Sequence, residues 1–157
     1  MRVLEKVKAF FKTRSLGFWF TAIAVILSLI QLIVYAVAFA TPALRSYGDW
    51  KTTLFSVIAI VLCIGLACWK PTERFAPVAL AVFELVSFYM FIYYGYMYFS
   101  TLFYSGISLE AISLMHYGYS MSIVLYLLIF AASIVAIYKK QSKEDETVLT
   151  RGEVKAK

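Results

Sequence analysis

Long stretches without charge alternate with short charged ones along this chain. Lys, Arg, Asp and Glu collect at residues 1–14, 45–51, 70–74 and 139–157, and apolar runs lie between them. The first run, Phe18 to Ala40, holds 23 residues without a charge. At ~1.5 Å per residue, a helix of that length crosses the ~30 Å hydrocarbon core of a bilayer with a little tilt. Residues 52–69 form a second run, just long enough to stand upright. Residues 77–99 and 117–138 form the third and fourth. The pattern predicts an all-α integral membrane protein: a four-transmembrane-helix, up-and-down bundle occupying residues 16–138.

Breakers punctuate the runs. Thr41-Pro42 closes the first, and Lys70-Pro71-Thr72-Glu73-Arg74 is a tight turn, because proline cannot continue a helix without losing a hydrogen bond. Pro77 falls in the first turn of the third run, where no amide partner is needed. Residues 100–116 are the longest internal loop, and Leu109, Ile112, Leu114 and Met115 make it apolar enough to dip into the interface or cover the bundle. Ala38-Phe39-Ala40 fits a small-x-small cleavage pattern, but the stretch before it far exceeds the ~7–15 residues of a signal-peptide core, so an uncleaved span is expected.

The two ends differ. Over residues 1–15, Val3, Leu4, Val7, Phe10 and Phe11 recur at helical spacing, with Arg2, Lys6, Lys8 and Lys12 between them. That is a short basic amphipathic helix, expected to lie along the headgroups of an anionic leaflet. The tail, 139–157, is charged, lacks aromatics, and is expected to be disordered.

Composition agrees with the pattern. Of the 157 residues, 62% are hydrophobic, against about half in a soluble domain. The net charge of +6 does not read as a nucleic-acid signal, because no basic patch is interleaved with aromatics on a soluble stretch. It reads as orientation. The N-terminal segment carries five Lys and Arg, the 70–76 turn two and the tail six; the opposite side has only Arg45 and Lys51. By the positive-inside rule both termini are cytoplasmic. Trp19 and Trp69 would then stand at the inner interface and Trp50 at the outer one. Small size and short loops point to a plasma membrane, and to a bacterial one.

Little in the chain carries chemistry. Cys63 and Cys68, five apart on one helix, diverge by roughly 140°, cannot bridge, and lack C-x-x-C spacing; they read as packing residues. His116 is the only histidine, without Cys or Asp neighbours, so no metal is expected. There is no Ser-His-Asp set, no H-E-x-x-H and no phosphate-cradling glycine loop. No catalysis and no cofactor are expected.

Glu84 is the only formal charge inside a span. A carboxylate in hydrocarbon costs at least ~2.5–3.5 kcal/mol on insertion scales, so it should face the interior, take up a proton or touch water. Counting from the span ends places it ~6 Å to the cytoplasmic side of the centre, near the level of Cys63, Ser28 and Ser133. Arg14 or Arg74, snorkelling inward, would only just reach it. Ser87, Phe91, Tyr94 and Tyr98 follow on the same helical face, a candidate binding stripe or a packing seam. Gln31, mid-span, is expected to bond across to another helix. Ala36/Ala40, Gly118/Ser122 and Ala132/Ala136 have small-xxx-small spacing for close packing. Tyr89, Tyr93, Tyr94, Tyr96, Tyr98, Tyr104, Tyr117 and Tyr119 crowd the outer halves of spans three and four, more densely than interfacial anchoring needs.

The chain resembles small bacterial four-helix membrane proteins in general type only, and that likeness carries no residue over. Small multidrug transporters carry their essential acid in the first span, not the third. The expected role is a non-enzymatic accessory or interaction subunit of a membrane complex, embedded in the lipid bilayer and paired with a membrane-protein partner or with copies of itself. The alternative is a small oligomeric transporter or channel with Glu84 as a protonatable site.

Overall fold

A computed structural model describes residues 15–69, 71–104 and 106–139. The amphipathic segment expected before residue 15 and the tail beyond Lys139 lie outside the described residues. Among the described residues the chain is helical, without strands. Helix α1 spans Leu16–Ala40, α2 Trp50–Cys68, α3 Ala76–Leu102, α4 Leu109–Ser113 and α5 Tyr117–Tyr138. One-turn 3₁₀ helices, Arg45–Tyr47 and Glu73–Phe75, lie at the two tight connections. Four of the helices, α1, α2, α3 and α5, are long and apolar enough to cross a membrane.

Side chains hold the helix ends. Asp49 precedes α2 and its carboxylate accepts from the Lys51 amide at 3.4 Å. His116 precedes α5 and its Nδ1 accepts from the Gly118 amide at 3.1 Å. The lone histidine is therefore a helix cap, satisfying an amide that has no partner inside the helix. Thr72 donates to the Leu66 and Trp69 carbonyls, tying the end of α2 into the Pro71 turn.

The long helices associate as two close pairs, α1 with α5 and α2 with α3, which meet chiefly through α3 and α5. Small residues set the first pair. A Cβ on Gly118 would collide with the Ala38 methyl. Ser122, Ala132 and Ala136 of α5 are buried as well, whereas Ala36 and Ala40 are exposed. Two of the three small-residue motifs thus lie in the interior, and on α1 it is Ala24 and Ala38 that do this work.

Polarity runs opposite to that of a water-soluble protein. Ser28, Gln31, Thr52, Ser56, Glu84, Ser87, Ser122 and Ser133 are buried. Ile33, Val37, Val61, Val82, Leu85, Leu127 and Ile134 are exposed. Leu109, Ile112 and Leu114 of the 100–116 loop point outward rather than covering the helices, and Met115 packs beneath them against an aromatic cluster.

Candidate functional site

The interior is polar at mid-height and aromatic toward one end. Glu84 is wholly buried. One of its carboxyl oxygens, Oε2, lies 3.2 Å from the Ser56 hydroxyl of α2. Ser56 lies 2.8 Å from Ser87, and Ser87 lies 2.8 Å from the Tyr126 phenol of α5. Ser87 also donates to the Thr52 carbonyl at 2.9 Å. The four contacts form one connected chain across α2, α3 and α5. Ser28 of α1 stands beside the Glu84 carboxyl, but its hydroxyl reaches no partner in hydrogen-bonding geometry.

Several other buried polar atoms are unpaired. They are both amide atoms of Gln31, the Thr52, Ser122 and Ser133 hydroxyls, the Tyr119 phenol and Glu84 Oε1. Gln31, Tyr35, Thr52, Ser56 and Tyr126 border a small void that has no room for a water molecule. Gln31 sits in the interior, its amide beside the Tyr126 phenol of α5 but outside hydrogen-bonding geometry.

Beyond Ser87 the same face of α3 becomes aromatic. Phe91 is buried among Tyr35, Phe39, Tyr119, Tyr126 and Phe88, with ring centroids 5.2–6.3 Å away. Tyr98 stacks on Tyr119 at 4.3 Å and its hydroxyl accepts from the His116 amide at 2.7 Å. Tyr94 meets the Lys51 ammonium, which donates to its hydroxyl at 2.9 Å. Tyr35 clamps the start of α2, accepting from the Asp49 amide at 2.9 Å and donating to its carbonyl at 3.1 Å. Glu84, Ser87, Phe91, Tyr94 and Tyr98 therefore line a seam within the chain.

A second stripe runs along the opposite face of α3. Tyr89, Tyr93 and Tyr96 point outward, 60–65% exposed, and the first two are ring-stacked at 6.1 Å. Tyr89 is the middle residue of the 27-residue helix, and Tyr93 lies one turn beyond it. Neither phenol has a hydrogen-bond partner among the described residues.

Cys63 is buried against Leu80 and Ala76, Cys68 is exposed, and both line a groove of about 310 Å³ between α1 and α2 with Phe18, Val25 and Ile64. Cys63 is not the neighbour of Glu84; Ser56 is. Counting depth from span midpoints fails because α2 has 19 residues and α3 has 27, so their midpoints do not coincide. The Pro71 turn is the better origin, since Ser56 and Glu84 each lie fourteen residues from Lys70. Read that way, Ser56 was within reach of the sequence. Tyr126 was not, because nothing local pairs α5 with α3.

Among the described residues no group of three or more His, Cys, Asp and Glu is placed to hold a metal ion. Comparison with family models, with curated proteins and with solved structures finds no match to this chain.

Proposed function

We propose that this chain is a four-span plasma-membrane protein with both termini in the cytoplasm. In this reading it is a non-enzymatic accessory subunit that engages another membrane protein through the tyrosine face of α3. The inverted polarity supports the bilayer. An exterior of Ile, Val and Leu around an interior of hydroxyls is favourable where lipid, not water, is the solvent. Lys and Arg numbers of five, two and six on one side, against two on the other, support the orientation. Trp19, Trp50 and Trp69 are exposed near helix ends, where an aromatic belt would stand.

The observation that carries the reading is the outward Tyr89–Tyr93 stack at the middle of α3. Tyrosine is favoured at the headgroups, where its hydroxyl meets water. At the middle of a spanning helix the hydroxyl meets acyl chains, which offer no partner. A neighbouring transmembrane helix offers both an aromatic contact and a hydrogen-bond acceptor. The inward stripe from Glu84 is used up within the chain, so the outward one is the surface left for docking.

The test is affinity purification from native membranes in mild detergent, comparing wild type with Tyr89→Leu/Tyr93→Leu. A stoichiometric membrane protein that co-purifies with wild type and is lost from the double variant is expected. Equal recovery from both would move the contact elsewhere, and a clean homo-oligomer without a partner would end the accessory reading. The unpaired polar atoms around Glu84 favour a second reading, a small transporter with Glu84 as its protonatable site. It ranks lower because the adjacent void admits no water.

A further inference from the structure

Glu84, Ser56, Ser87 and Tyr126 make four hydrogen-bond contacts that contain only three hydroxyl protons. With one proton to each contact, the assignment follows from one end. A carbonyl only accepts, so the Ser87 proton goes to Thr52 O. Ser87 has then spent its proton, and both Ser56 and Tyr126 must donate to it, one to each lone pair. Ser56 has now spent its own proton as well. The remaining contact, Ser56 to Glu84 Oε2, has a hydrogen only if Glu84 supplies it.

We infer that Glu84 is a proton-binding site, occupied in this arrangement, whose proton is the fourth donor in the chain joining α2, α3 and α5. The inference rests on the proton count and stands apart from the partner reading above.

The surroundings agree. The groups facing Glu84 are Ser56 from α2, Ser28 from α1 and, through the chain, Tyr126 from α5; Thr52, Gln31 and Tyr35 border the same layer. None of them is cationic, and Glu84 makes no ion pair among the described residues. Its other oxygen, Oε1, is buried without a donor. That is costly for a carboxylate, which needs donors at both oxygens, and much cheaper for the carbonyl oxygen of a neutral acid. Loss of the proton leaves one contact empty and places a charge opposite hydroxyls with no counter-cation. Release of the proton therefore loosens the join between α2 and α3, which Ser56 and Glu84 make.

Infrared spectroscopy of the full chain in lipid vesicles at neutral pH tests this. Wild type should show the carbonyl stretch of a protonated carboxylic acid, Glu84→Gln should lack it, and Ser56→Ala should keep it at a shifted frequency because the acid loses its acceptor. A wild-type spectrum with carboxylate bands alone overturns the proposal, as does a protonated band that survives in Glu84→Gln. If Glu84→Gln does not fold, Ser56→Ala decides: a band that fails to move belongs to another acid.

Discussion

The Ser87 hydroxyl and the Tyr126 phenol meet at 2.8 Å in the interior, linking the α2–α3 hairpin to α5. Ser87 makes two more contacts, to Ser56 and to the Thr52 carbonyl, whereas Tyr126 makes this one alone in hydrogen-bonding geometry. Ser87→Ala should therefore cost more than Tyr126→Phe. About 1 kcal/mol is expected for the phenol and about 2–3 for the serine. Reversible unfolding in mixed detergent micelles measures both. Equal losses would mean that the Thr52 and Ser56 contacts contribute nothing.

Gly118 lies against Ala38 at a close approach of α1 and α5. Gly118→Ala should destabilise the chain by about 1–3 kcal/mol, because the added methyl forces the helices apart. Ala38→Gly removes the opposing methyl, so the double variant should recover part of the loss. Strict additivity in the same unfolding assay would show that the two sites do not press on one another.

His116 caps α5 through Nδ1. His116→Ala should cost about 1 kcal/mol, and His116→Asn, which keeps a cap acceptor, less. Hydrogen exchange locates the effect, with the Gly118 amide speeding up in the alanine variant. Unchanged exchange there would make the histidine a bystander.

The two thiols differ in access. Cys68 is exposed and Cys63 is buried. A maleimide should modify one thiol per chain in detergent, and Cys68→Ser should abolish that modification. In a cysteine-free chain, Thr72→Cys should react from the cytoplasmic side and Ser108→Cys from the opposite side. Labelling of both from one side would refute the proposed orientation.

Helix positions were the most legible feature, and the errors have simple causes. The expected 77–99 run became Ala76–Leu102, its added turn carrying Thr101, whose hydroxyl takes the compatible bond back to the Met97 carbonyl. The expected 52–69 run moved to Trp50–Cys68 because Asp49 caps it two residues earlier. The 100–116 loop hid a five-residue helix whose apolar residues are exposed, since its composition alone does not say which way they point.

The polar interior was half legible. Glu84, Gln31, Ser28 and Ser133 stood out because each interrupts an apolar run, and all four are buried. Their partners depend on neighbours far along the chain: Ser56 is 28 residues from Glu84, and Tyr126 is 39 from Ser87. The tyrosines divided in the same way. Their density could be counted in the sequence, but only the packing separates inward Tyr98 and Tyr119 from outward Tyr89, Tyr93 and Tyr96.

By itself the sequence determined that four apolar helices form and roughly where each ends. A helix answers to its own residues, since every backbone bond is made within a few positions and the length of an apolar run is a local quantity. Only the tertiary structure decided that Tyr126 of α5 meets Ser87, and that two opposite faces of α3 take opposite roles. Register between helices follows from turn geometry, unequal helix lengths and the close approach of Gly118 to Ala38, and none of these is expressed in the local pattern of one helix.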